Sequence, residues 1–297
     1  MKVRRQYNQQ RIIEVEIEKT EDLLGKLVPL HVLAGIKNDQ RVVDSLDNVT
    51  LLYTDMVGFT EFSKNTKPQE VVNLLSRLFS KFDQLCEQIG VYKVHTIGDC
   101  YVIMSYTGKT AKERRSPIVQ IEEAFRVIQV GLEMINIIAE ERNKTKNPAL
   151  RNLDMRIGIH TGKIVGGIIG TKVVRYDIFG QDVLIANKME SNGLAGAVCI
   201  SEQTYKLIHR NNFVADTFEF NEHVPCEIGT IGKTIKSYKV DQILNEMGES
   251  SEEYSDGEGE SADGPDRSQH SSNTVYGHED EIGSNSSMSE KEEVSED

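Results

Sequence analysis

Two acidic residues, Asp55 and Asp99, stand out because each falls where an extended run stops. Asp55 closes Asn48-Val-Thr-Leu-Leu-Tyr-Thr-Asp55, and Asp99 sits in the Ile97-Gly-Asp99 break between Val91–Thr96 and Cys100–Ser105. If those runs are neighbouring strands, both carboxylates meet at one sheet edge. Converging carboxylates are what hard cations such as Mg²⁺ take, and two ions bridged by two aspartates can activate a hydroxyl while stabilising a leaving oxygen. The same placement also fits two solvated turn residues, and spacing alone leaves both readings open. Directly after Asp55, Met56-Val-Gly58-Phe59-Thr60 leads into a helix start, where free N–H groups and the positive dipole end favour phosphate. Neither GxxxxGK[ST] nor a GxGxxG following a strand is found, which disfavours ordinary NTPase and dinucleotide sites. A metal pair beside an anion-binding turn suggests a nucleoside triphosphate held through its phosphates.

The elements that must position these residues follow from hydrophobic periodicity. Lys67–Gln88 carries Val71, Leu75, Leu78, Phe82 and Leu85 at steps of four and three, the stripe of an amphipathic helix. Ile118–Arg142 repeats that pattern. Met155–His160 and the glycine-dotted Ile164–Gly170 read as a second hairpin, Tyr176–Phe179 as a short strand, and Asp182–Glu190 as a short helix. Val198–Ile200 leads to a Ser201-capped helix, and Ile235–Ile243 is a closing strand. Strands and helices alternate, but two hairpins break the βαβ rhythm. The expected fold is therefore α+β, a ferredoxin-like βαββαβ sandwich. Ahead of it, residues 1–17 are a polar segment. Residues 18–46 read as a helical stretch, with Leu23, Leu24, Leu27, Leu30, Val32, Leu33 and Ile36 near helical spacing and a kink at Pro29, either a lead-in or the edge of the domain. The main folded domain is expected over 47–243.

The chain has 297 residues, 38% hydrophobic and 27% charged, a globular balance with no apolar run long enough to span a membrane and no secretory signal. Of its net charge of −13, the stretch from Gly248 to Asp297 holds 16 acidic and 2 basic residues, leaving the body about neutral. No electrostatic pull toward nucleic acid or acidic lipid is expected from that body. The tail, 248–297, is rich in Ser, Glu, Asp and Gly and nearly devoid of large apolar residues, the composition of a disordered segment. Its Ser250, Ser255, Ser287 and Ser289 each precede an acidic residue by three positions, a pattern that suits acid-directed kinases and equally a plain solubilising tail. Four widely spaced cysteines without a CxxC pair argue against a zinc site or disulfide framework, so a reduced, cytoplasmic setting is expected.

Four segments together resemble the class III nucleotidyl cyclase catalytic domain: Tyr53-Thr-Asp-Met-Val-Gly-Phe-Thr60, His95-Thr-Ile-Gly-Asp-Cys-Tyr101, Arg156-Ile-Gly-Ile-His-Thr-Gly162, and Tyr176-Asp-Ile-Phe-Gly-Gln-Asp-Val-Leu-Ile-Ala-Asn-Lys-Met-Glu190. They occur in family order over about Glu18–Gln242. The resemblance implies that Asp55 and Asp99, with the Met56 carbonyl, hold two Mg²⁺ or Mn²⁺ ions, and that Gly58, Phe59, Thr60 and Arg156 bind the triphosphate. It implies attack of the ribose 3′-hydroxyl on the α-phosphate of GTP or ATP, giving a 3′,5′-cyclic nucleotide and pyrophosphate across a dimer interface. Membrane association is implied only through segments not in this chain.

The departures from the family pattern are equally specific. Where homodimeric members carry an Asn for the ribose and an Arg for the transition state, this sequence has Leu184 and Lys188, and near the expected phosphate Lys it has Gly232 and Lys233. The pattern resembles the metal-bearing half of pseudo-heterodimeric cyclases, as in transmembrane adenylyl cyclases and protist guanylyl cyclases, which implies a complementary cyclase domain as partner, or a homodimer of low activity. The two purine-selecting positions fall on His95 and Asp177, which in a metal-bearing half face the second, degenerate pocket. The Val91–Asp99 run and Phe179-Gly180 look guanylyl-like. The competing expectation is a cyclase-like module that dimerises or regulates with little turnover.

Overall fold

The structure is a computed structural model, and it describes residues 2–25, 28, 29, 32, 43–105, 113, 116–144, 148–170 and 175–243. Helix α1 (Lys2–Gly25) takes in residues 2–17 of the polar segment and the start of the helical stretch expected over 18–46. Its Ile12, Ile13, Val15 and Ile17 are exposed. Of the expected second lead-in helix, only Val28, Pro29 and Val32 are described. Val28 and Val32 are buried beside Leu46 and Val49. The acidic tail 248–297 lies outside the described residues.

The remaining elements are β1 (Val43–Val57), α2 (Phe59–Asn65), α3 (Pro68–Ile89), β2 (Tyr92–Ile97), β3 (Cys100–Met104), α4 (Pro117–Lys144), a 3-10 turn (Pro148–Asn152), β4 (Asp154–Ile169), β5 (Arg175–Phe179), α5 (Gln181–Ser191), β6 (Ala197–Ser201), α6 (Glu202–Ile208), α7 (Asn212–Thr217), β7 (Phe218–Ile228), a second 3-10 turn (Gly229–Ile231) and β8 (Lys233–Gln242). The strands form one sheet in the order β2-β3-β1-β4-β6-β8-β7, with β5 also on β4. Within it, β1-α3-β2-β3-α4-β4 with sheet order β2-β3-β1-β4 and antiparallel pairing throughout is the expected ferredoxin-like βαββαβ unit.

Two cores sandwich the sheet because β1 is apolar on both faces. Leu52 and Met56 point into a core completed by Leu74, Leu78, Phe82 and Leu85 of α3 and by Val127, Ile128, Met134 and Ile138 of α4. Leu51 and Tyr53 point the other way, toward Ile164, Tyr176, Ile178 and Ala186. Each fully buried Leu or Phe here stabilises the fold by about 2 kcal/mol through removal of its surface from water. Asn48, in the left-handed region at φ 55°, marks the bulge where the β1–β4 register shifts between Leu46 and Val49.

One expectation is overturned. Met155–His160 and Ile164–Gly170 are not the arms of a hairpin: β4 runs unbroken through Asp154–Ile169, and the hairpin lies between β4 and β5. Gly162 resembles a turn signal in sequence, but its lack of a side chain serves a close approach by α5, described below. The structure also contains β7, which sequence reasoning does not anticipate, a polar edge strand interrupted by Pro225, whose register on β8 shifts between His223 and Cys226. Edge strands of this kind carry little apolar signal and tolerate proline.

Candidate active site

The register of β1 on β4 sets Asp55 directly opposite Arg156. Arg156 donates from Nη2 to Asp55 Oδ2 at 2.7 Å, and from Nε to Glu190 Oε1 at 2.9 Å. The β2–β3 turn consists of Gly98 and Asp99, and the pairing of Thr54 with Tyr101 carries that turn to the end of β1. There Asp99 Oδ2 accepts the Met56 N–H at 3.3 Å. Burial pushes the Asp99 carboxyl above its ordinary range, and the neighbouring Asp55 carboxylate pushes it further. A half-buried carboxyl held beside a second carboxylate is a site that a divalent cation would relieve.

The donor set fits Mg²⁺ or Mn²⁺. Among the described residues no group of three or more His, Cys, Asp or Glu side chains is arranged to hold an ion by itself. A two-carboxylate site suits Mg²⁺, which keeps waters and substrate phosphates as its remaining ligands. Met56 is 2% exposed with its side chain packed in the core, so only its main chain is available to the site.

Gly58 stands at φ +83°, a left-handed value that turns the chain from β1 into α2. Phe59 is half-buried against Phe62, with ring centroids 6.2 Å apart, while Thr60 is exposed. The expected phosphate turn thus presents Gly58 and Thr60 outward and anchors itself through Phe59.

His95 and Asp177 come together across β2 and β5, with His95 Nδ1 3.3 Å from Asp177 Oδ1 but without an aligned hydrogen bond. Asp177 also accepts from Arg175. Burial lowers the His95 pKa, and Asp177 partly offsets that. Cys100, beside Asp99, has its thiol pushed up to about 12, chiefly by burial and then by Glu190 and Asp55, which makes it a poor nucleophile.

Sequence reasoning quoted Glu190 as the end of a motif without giving it a role. The structure makes it the second partner of Arg156, 5% exposed and also accepting from Ser191 Oγ at 3.2 Å. The cause lies in how α5 sits on β4. A Cβ at Gly158 would stand 1.9 Å from Glu190 N, and one at Gly162 would stand 2.3 Å from Asp182 Cγ. Eight helical residues span about 12 Å and four strand residues about 13 Å, so the Asp182–Glu190 and Gly162–Gly158 pairs match in length. Asp182 pins the near end of α5, accepting from Lys163 N at 2.6 Å and lying 3.2 Å from His160 Nε2. The available signal was two acids eight apart on a helix and two glycines four apart on a strand. On the outer side of α5, Leu184 is 51% exposed and Lys188 is exposed one turn on.

The fold and site define an α+β domain with a carboxylate pair and an arginine at one end of its central strands. Residues 42–242 match the Adenylate and Guanylate cyclase catalytic domain family. The chain belongs to that family. It is 40% identical over 185 residues to guanylate cyclase beta of Plasmodium falciparum, covering 62% of this chain and 6% of that protein. It is 37% identical over 241 residues to guanylate cyclase alpha of the same organism, covering 76% of this chain and again 6% of the relative. The chain thus spans a small part of the length of these relatives. Among solved structures, the guanylate cyclase domain of RhGC from Catenaria anguillulae, in complex with GTP, superposes with a TM-score of 0.56 at 25% identity, covering 67% of this chain and 98% of that one.

Proposed function

We propose that this chain is the metal-bearing half of a purine nucleotide cyclase, acting on GTP at a site completed by a complementary cyclase domain. The observation that carries the reading is the convergence of Asp55, Asp99 and Arg156 at one end of the central strands β1 and β4. The guanylate cyclase relatives support GTP over ATP. Half-site character is supported by the exposed Leu184 and Lys188, which stand one turn apart on α5 where a complete site has Asn and Arg.

Asp55 and Asp99, with the Met56 carbonyl, would hold two Mg²⁺ or Mn²⁺ ions. Bound there, the ions would supply Lewis-acid neutralisation of charge on the reacting phosphate. The outward Gly58–Thr60 turn receives phosphate oxygens, and Arg156 offers its guanidinium fork to the same anion. In the reaction the ribose 3′-oxygen bonds to the α-phosphorus and its proton passes to solvent water, while the bond from that phosphorus to the β-phosphate bridging oxygen breaks and pyrophosphate leaves. What this chain contributes is positioning and charge, the main resources of phosphoryl transfer.

The test is cyclic nucleotide production from GTP and from ATP with Mn²⁺, by this chain alone and mixed with a cyclase half bearing the Asn and Arg. Product from GTP in the mixture, with little from the chain alone, is expected. Leu184 and Lys188 also favour a second reading, a regulatory or dimerising module with weak turnover. Absence of product from a demonstrated mixed dimer would decide for that reading. Among the described residues no helix is long and apolar enough to cross a membrane. We place the domain on the cytoplasmic side, with any membrane attachment made through a larger assembly.

A further inference from the structure

We infer that Glu190 is a positioning residue: by holding Arg156 through Nε, it limits how strongly Arg156 competes with a divalent cation for Asp55. This rests on the reading of Asp55 and Asp99 as metal ligands.

Arg156 is claimed from two sides. Its Nη2 lies on Asp55 Oδ2 at 2.7 Å, where the two side chains are 30% and 35% exposed. Its Nε lies on Glu190 Oε1 at 2.9 Å, where the carboxylate side chain is only 7% exposed. The solvent-facing contact is exchangeable. The buried one is not, because a carboxylate taken out of water needs its cation. Glu190 is also set by main chain rather than by side-chain reach. Its backbone nitrogen occupies the space a Cβ at Gly158 would need, so α5 cannot slide without carrying the carboxylate away from Arg156.

Asp55 Oδ2 is the oxygen that Arg156 covers, and a cation ligated by Asp55 must contend for it. With Glu190 present, Arg156 divides its charge between two carboxylates and keeps an anchor when Nη2 lets go. From that anchor the guanidinium can swing its Nη atoms toward an anion while Nε stays in place. With Glu190 neutral, Asp55 becomes the sole carboxylate for Arg156, and the cation must displace a tighter pair.

The experiment is Mn²⁺ titration of the full chain by electron paramagnetic resonance, scoring the component lost in Asp99→Asn so that weak binding by the acidic tail is discounted. Glu190→Gln is expected to raise the Kd for that component about tenfold, the scale on which partners of metal ligands act. Arg156→Gln is expected to bind Mn²⁺ at least as tightly as the parent, and Glu190→Gln added to Arg156→Gln is expected to change nothing further. A plain structural role, or a direct field effect on the cation, would instead weaken binding equally in both backgrounds and would overturn the proposal. No effect of Glu190→Gln on binding would overturn it as well. Thermal melting checks each variant for folding, and Glu190→Asp, which withdraws the carboxylate from Nε, replaces Glu190→Gln if the latter does not fold. If the parent chain binds no Mn²⁺, or binds it equally after Asp55→Asn and Asp99→Asn, the metal-site reading fails and this proposal with it. If binding needs both aspartates but is uncoupled from Glu190, only this proposal falls.

Discussion

Asp99 holds a half-buried carboxylate beside Asp55, and both burial and that neighbour raise its proton affinity. In a complete pair with a competent partner half, Asp55→Ala or Asp99→Ala is expected to lower metal-dependent turnover at least about 100-fold with the fold retained, checked by cyclic nucleotide assay and circular dichroism. His160 is the contrasting case. With Ser201 Oγ at 2.8 Å on Nδ1 and Asp182 on Nε2, it has the composition of a catalytic triad, yet Ser201 is fully buried and caps α6 by accepting from Thr204 N. Burial lowers the His160 pKa below the ordinary 6.5, with Asp182 opposing and Lys233 assisting. The unfolded chain therefore takes up a proton there before the folded one does. The neutral imidazole contributes stability fully above pH 6.5, and that contribution is lost as pH falls through and below this value. The melting temperature is expected to decline over that window, and His160→Gln should flatten the decline.

At the scale of elements, α5 is the piece whose placement matters most. It is held flat on β4 by two glycine seats and by Asp182 and Glu190 at its ends. Gly158→Ala would put a methyl inside the α5 backbone, so a loss of about 3 kcal/mol or more is expected in denaturant unfolding, together with loss of the Arg156–Glu190 pair. On the opposite face, Phe82 is fully buried and meets Tyr101 edge-on with centroids 5.6 Å apart. Phe82→Ala is expected to cost about 3–5 kcal/mol through the cavity it leaves. Helices α3 and α4 were legible in sequence because long amphipathic stripes survive any detail of packing. The course of β4 was not, because a glycine needed for helix contact carries the same letter as a glycine needed for a turn.

For the molecule as a whole, the proposal is that of half a site, and its prediction is one of completion. Leu184→Asn combined with Lys188→Arg is expected to raise cyclase activity of the chain alone by about tenfold or more, since a group acting on the transition state is worth at least that. Unchanged activity in a demonstrated homodimer would count against the half-site reading. Removing residues 248–297 is expected to leave turnover of a mixed pair unchanged, and a large change would assign the tail a regulatory role. By itself the sequence determined the ferredoxin-like order of elements, the two long helices and the candidacy of Asp55 and Asp99, because periodicity and strand-end placement are local properties of the chain, while Arg156 became a candidate only through the family motif that contains it. Only the tertiary structure decided that Asp55 faces Arg156, that Glu190 holds the same guanidinium, and that Ser201 and Asp182 are the partners of His160. Those outcomes depend on strand register and on how closely a helix can approach a strand, distances that no spacing along the sequence encodes.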